Sequence, residues 1–229
     1  MDIYLTFMGA ARGVTGSRIF IEANGLKLLV DCGLYQEHEF LHRNWEPFRC
    51  KPSELTAVLL THAHLDHSGM LPKLVNEGFH GRVICTPATA DITKIILLDS
   101  AQIQEEDAAY KKKRHIREGR QGPYPEIPLY TVREAEESLK FFTPVEYNTP
   151  VDIGRGIEAT FHDAGHVLGS SMIKLVVSQR GEKRGIVFSG DIGRWDRPFL
   201  KDPDVFRRTD YIVMESTYGD RAHKGAETI

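Results

Sequence analysis

Four side chains constrain this chain more than any others: His62, His64, Asp66 and His67, inside the run Thr61-His-Ala-His-Leu-Asp-His-Ser68. Imidazoles and carboxylates are good zinc ligands, and a catalytic zinc keeps one coordination position open for water. In a chain of 229 residues with ten histidines, chance would assemble His-x-His-x-Asp-His only about once in a thousand such sequences. Alternate side chains of an extended segment share a face, so His62 and His64 point the same way, whereas Asp66 and His67 follow a turn. The two pairs then face two adjacent ions, and one short loop seeds a binuclear site.

The flanking sequence places this loop. Ala57-Val-Leu-Leu60 reads as a strand, and Met70-Leu-Pro-Lys-Leu-Val75 has helical spacing that stops at Gly78, so the run lies between strand and helix. Upstream, strands are expected over 3–8, 18–23 and 26–31, with Asn24-Gly25 as a hairpin turn. Arg82-Val-Ile-Cys85 reads as a strand, 88–113 and 131–142 as helices, and 157–162, 171–177, 185–189 and 210–215 as short strands. Strands flank a helical middle, which is an α/β chain with the character of an α+β sandwich.

Two more positions are candidate ligands. His166 stands among small residues in Ala164-Gly-His-Val-Leu-Gly-Ser-Ser171, where the backbone can approach a metal closely. Asp191 follows the apolar strand Gly185-Ile-Val-Phe-Ser189, where a carboxylate could bridge two ions. A satisfied core histidine and a turn-forming aspartate are the alternatives.

Composition limits the partners. Lys plus Arg number 29 against 32 Asp plus Glu, so the net charge of −3 supplies no whole-chain attraction to nucleic acid or anionic lipid. A polyanion must be held locally. One basic cluster, Lys111, Lys112, Lys113, Arg114, Arg117 and Arg120, reads either as the solvated end of a helix or as a phosphate-contacting strip. Cys32, Cys50 and Cys85 are widely spaced and form no Cys-x-x-Cys pair, which argues against a disulfide framework and a thiolate zinc site. With no signal peptide at Met1 and no membrane-crossing stretch, the expectation is a soluble, cytoplasmic protein.

Val30-Asp31-Cys-Gly33, the His62 to His67 run, Gly165-His166 and Ser189-Gly-Asp191 resemble, in order, the motifs of the metallo-β-lactamase superfamily. Gly9-Ala-Ala-Arg-Gly-Val-Thr-Gly-Ser17, Gly165-His-Val-Leu-Gly-Ser170 and Glu215-Ser-Thr-Tyr-Gly219 look like those of its β-CASP branch, nucleic-acid-processing nucleases related to the polyadenylation cleavage factor. Gly9 to Ser17 lacks the Gly-Lys-Ser/Thr of a phosphate loop and reads structurally as a glycine turn.

The resemblance implies an αββα fold with two Zn2+. His62, His64 and His166 would hold one ion, Asp66 and His67 the other, with Asp191 bridging and Asp31 orienting ligands from behind. Glu215 would position a histidine serving as general acid; a surface helix cap is its alternative. The implied reaction is hydrolysis of phosphodiester bonds in RNA, or DNA, by a hydroxide held between zinc ions about 3.5–4 Å apart, with Asp66 accepting the water's proton. In the branch, a cap domain and two further histidines follow the segment resembling Glu215 to Gly219, and His223 lies too close to Glu215 to match either. Residues 1–209 are therefore expected to form the N-terminal part of the metallo-β-lactamase domain and 210–229 its last strand and the start of the cap region. The fold would be incomplete, lacking the cap and the C-terminal strands. A hydrolase of a small thioester or lactone and a non-catalytic scaffold subunit of an RNA-processing complex are the competing functions. A homodimer is compatible with all three.

Overall fold

The computed structural model describes residues 2–220; His223 and the end of the expected cap region lie outside the described residues. Eleven strands form two sheets among them. The first contains β1 (Ile3–Gly9), β2 (Arg18–Ala23), β3 (Leu26–Val30), β4 (Ala57–Leu59), β5 (Arg82–Cys85) and β6 (Phe142–Pro144), in that order. β1 to β3 pair antiparallel and β3 to β6 parallel. The second holds β7 (Val151–Gly154), β8 (Ile157–Asp163), β9 (Ser171–Gln179), β10 (Glu182–Phe188) and β11 (Tyr211–Val213), antiparallel except for β10 with β11.

Local signals explain many of these elements. Asn24 and Gly25 both take positive φ, 49° and 73°, the backbone that a tight two-residue hairpin between β2 and β3 demands. The long helix α3 (Pro87–Glu118) follows α1 (Leu65–Ser68) and α2 (Leu71–Asn76). It opens on Thr86, whose side chain accepts from Thr89 N–H, has Pro87 in its first turn, and stops at left-handed Gly119. α4 (Val132–Ser138) begins with a capping box between Thr131 and Glu134.

The central strands read as nearly continuous apolar runs because both faces are covered. Leu28, Val30, Leu59 and Ile84 face the second sheet, against Phe161, Ile173, Leu175, Ile186 and Phe188. Their sequence neighbours Leu29, Val58, Leu60 and Val83 face the helices, against Leu71, Leu74, Leu97, Ala101 and Tyr130. Helix, sheet and sheet thus stack in layers. This is the mixed α/β architecture expected.

Several elements differ from the sequence reading. The helix expected over 131–142 ends at Ser138; a single 310 turn follows, and Phe142–Pro144 becomes edge strand β6. Its three residues are too few to show a period, and pairing with β5 defines them. β7 was hidden for the same reason. The long helix continues past the expected 113 to Glu118, so the basic residues from Lys111 to Arg117 are all helical. No described helix is long and apolar enough to cross a membrane.

Candidate metal centre

β3 and β4 run parallel, and β8 and β10 share a direction because β9 lies antiparallel between them. Asp31, the His62 loop, His166 and Asp191 follow the C-terminal ends of β3, β4, β8 and β10 respectively. Four strand ends therefore deliver their following residues to one edge of the sandwich, where α/β sheets commonly place ligands.

The loop that carries His62 to His67 is fixed by its backbone. Asp31 N–H donates to the Leu59 carbonyl, Cys32 N–H to His67 and Leu34 N–H to Leu65, at 2.7–3.0 Å, while Ser17 N–H donates to Asp66. Gly33 lies so close to the Asp66 carbonyl that a Cβ there would overlap it. The Val30-Asp-Cys-Gly33 motif is thus the shelf on which the first turn of α1, with Asp66 and His67, is seated.

His166 reaches the same place from the second sheet. Its N–H and that of Val167 donate to Ser170 Oγ at 3.1 Å, and Ser171 N–H donates to the Thr61 carbonyl at 2.8 Å. From the other side, the hydroxyls of Thr86 and Thr89 donate to the Gly169 carbonyl at 2.6 and 2.7 Å. The start of α3 therefore clamps the His166 loop. Gly193 N–H donates to the Ala164 carbonyl, which joins the Asp191 loop to it.

One ligand atom from each of His62, His64, His166 and Asp191 lies within 4.8 Å of the others. His62 Nε2 and His64 Nδ1 are 3.1 Å apart, and His166 Nε2 is 3.3 Å from His64 Nδ1. Asp191 divides its carboxylate. Oδ2 lies 3.7 Å from His62 and 3.5 Å from His166, whereas Oδ1 lies 3.2 Å from His67 Nε2. Asp66 Oδ2 is 3.7 Å from the same His67 nitrogen.

The electrostatics follow from burial and the facing carboxylates. Burial pushes His62 well below the usual imidazole range and lowers His166. Burial also opposes charge on His67, but Asp31 and Asp191 on either side outweigh it and raise its proton affinity well above the ordinary value. Burial raises Asp66, while Asp191, partly buried but surrounded by imidazoles, stays far below the usual carboxylate range. Convergent imidazoles around an ionised carboxylate suit a divalent transition metal, and the donor set fits zinc.

Residues 12–218 match the model of the metallo-beta-lactamase superfamily. The chain belongs to the metallo-β-lactamase superfamily. Among curated relatives of this superfamily member, ribonuclease TTHA0252 of Thermus thermophilus is 39% identical over 216 residues, covering 94% of this chain and 44% of the relative. Transcription termination factor FttA of Methanocaldococcus jannaschii is 32% identical over 222 residues, covering 95% of this chain and 32% of the relative. The chain spans less than half the length of either. A solved subclass B3 metallo-β-lactamase from a soil metagenome is 17% identical, with a TM-score of 0.47 over 81% of this chain and 59% of that one. The superfamily expected from the motifs is borne out.

Asp31 sits behind the cluster with φ 60° and is almost fully buried, its carboxylate 2.7 Å from His67 Nδ1. Thr61 N–H and Oγ1–H donate to Asp31 at 2.8–3.0 Å. Thr61 Oγ1 is also 3.0 Å from His62 Nδ1, so this threonine, to which sequence reading assigned no role, links the carboxylate to both imidazoles. Its place inside the metal run was the available signal. Glu215 does not reach the imidazoles by hydrogen bond; it accepts from Ile192 N–H at 2.7 Å and from the Thr217 hydroxyl at 2.9 Å. It lines a cavity of about 420 Å³ together with His67 and Asp191.

Lys111 to Arg117 lie on the last turns of α3 and Arg120 just past its end at Gly119, all outside that cavity's lining. Lys111 pairs with Asp107, and Arg114 and Arg120 with Glu118. Lys112 and Lys113 are exposed. Lys111, Arg114 and Arg120 instead edge a separate groove of about 680 Å³ between α3 and the segment 122–129.

Proposed function

We propose that the complete protein hydrolyses phosphodiester bonds in RNA with two zinc ions, His62, His64 and His166 holding one, Asp66 and His67 the other, and Asp191 both. The observation that carries this reading is the division of the Asp191 carboxylate, one oxygen toward His62 and His166 and the other toward His67. The ribonuclease named among its relatives supports RNA as the substrate class. In this reading residues 1–209 are the metal-holding domain, and 210–229 lead into the cap region.

When bound, such an ion pair lowers the pKa of water, polarises a phosphoryl oxygen and stabilises charge on entering and leaving oxygens. The chain's own groups do the rest. Asp66 takes up the proton of the attacking water. Asp31 orients His67 and, through Thr61, His62, so the ligands are in place before substrate arrives. Glu215, braced by Ile192 and Thr217, positions the group that protonates the leaving oxygen.

In the complete protein, His62→Ala is expected to remove bound zinc, measured by elemental analysis, and to abolish cleavage of single-stranded RNA. Cleavage surviving in zinc-free His62→Ala protein would reject the assignment, and thioester hydrolysis in place of RNA cleavage would transfer it to the small-substrate reading.

A further inference from the structure

Apart from the metal ions proposed above, the cavity beside the cluster offers an anionic substrate little positive charge. Asp31, Asp191 and Glu215 all line it, and the chain as a whole is negative. The ions offset the carboxylates that hold them, whereas an RNA phosphate beside the scissile one calls for a cation supplied by the wall itself. Among the described lining residues, Arg12 is the only Lys or Arg.

Arg12 makes no ion pair with a described residue and is solvent-exposed. Its backbone has φ 64°, a conformation that a non-glycine residue rarely holds unless its surroundings impose it. Those surroundings are visible on both sides. Glu37 accepts from Val14 N–H at 2.6 Å, from Thr15 N–H at 3.1 Å and from the Thr15 hydroxyl, and Gln36 N–H donates to Thr15 Oγ1 at 2.8 Å. The Tyr35 hydroxyl donates to the Met8 carbonyl at 2.8 Å, while its ring covers Gly16. A loop anchored at each end thus holds at the cavity a guanidinium with no ion-pair partner among the described residues.

We propose that Arg12 is the anion anchor of this cavity, binding a phosphate of the RNA backbone beside the metal cluster, and that Glu37 is the positioning residue that holds its loop. The proposal rests on the phosphodiesterase reading above for its substrate. A guanidinium matches phosphate geometry with two parallel N–H donors and stays charged at all working pH values.

The test uses the zinc-loaded complete protein with Arg12→Gly, Arg12→Ala and Arg12→Lys. Glycine removes the side chain while accepting the positive φ, so it separates binding from backbone strain. Affinity for inorganic phosphate is measured by calorimetry, and kcat and KM on a short single-stranded RNA at several salt concentrations. The expected result is that Arg12→Gly and Arg12→Ala weaken phosphate binding and raise KM by about tenfold or more. They also reduce the salt slope by about one, keep wild-type zinc content, and are partly rescued by lysine.

Unchanged phosphate affinity and KM in Arg12→Gly overturn the proposal, as does a wild type that binds no phosphate or an Arg12→Gly protein that loses its zinc. If the wild type leaves RNA intact but Arg12→Gly still loses phosphate affinity, the anion anchor stands and the ribonuclease reading falls.

Discussion

Asp31 Oδ2 lies 2.7 Å from His67 Nδ1, and both side chains are buried. The contact spans 36 residues of sequence and joins the end of β3 to the first turn of α1. It leaves Nε2 as the only His67 nitrogen able to face Asp66 and Asp191. A carboxylate in this position selects the tautomer and raises the basicity of a ligating ring.

Asp31→Asn keeps the shape but removes the charge. Zinc affinity is expected to fall by about 10- to 100-fold, with the weaker effect falling on the His62, His64 and His166 cluster. Competition with a chromophoric chelator measures it. Unaltered affinity for both ions would show that Asp31 serves the fold alone.

The clamp on the His166 loop is testable by stability. Thr89→Val removes one of two hydroxyl donors to the buried Gly169 carbonyl and should cost about 1 kcal/mol. Thr86→Val costs a similar amount and also weakens the cap of α3. The double variant is expected to exceed the sum of the singles, because only then does the carbonyl have no donor. Urea unfolding curves decide: additive or smaller costs would mean that water or a relaxed loop replaces the hydroxyls.

Glu37 links the Arg12 loop to pH. Burial works to raise its pKa, but hydrogen bonds from the Thr15 side chain and from the Val14 and Thr15 amides outweigh it, and the net shift is downward from 4.5. A carboxyl whose folded pKa lies below its unfolded value contributes stability that is present above the unfolded pKa and lost as pH falls through the folded one. The stability difference between wild type and Glu37→Gln should therefore be constant above about pH 5.5 and shrink below about pH 4.5. A difference independent of pH down to pH 3 would assign the effect to the neutral hydrogen bonds.

Much of the cluster's geometry was legible because most of its candidate ligands are adjacent in sequence. His62, His64, Asp66 and His67 lie within one loop, and apolar strand patterns bracket His166 and Asp191. The central strands were equally plain, since burial on both faces leaves runs such as Leu26-Lys-Leu-Leu-Val30. Short edge elements escaped. β6 and β7, of three and four residues, have no period of their own and exist by pairing with β5 and β8.

What the residues determine by themselves is chemistry and local shape: which atoms can donate to a metal, where a turn needs positive φ, and where a helix is capped. What only the tertiary structure decides is which distant atoms meet. No spacing rule brings Asp31 to His67, Gly169 to the hydroxyls of Thr86 and Thr89, or Glu37 to the loop that carries Arg12. Those contacts depend on strand order and on the packing of two sheets, where long-range backbone pairing, rather than any local preference, sets the distances.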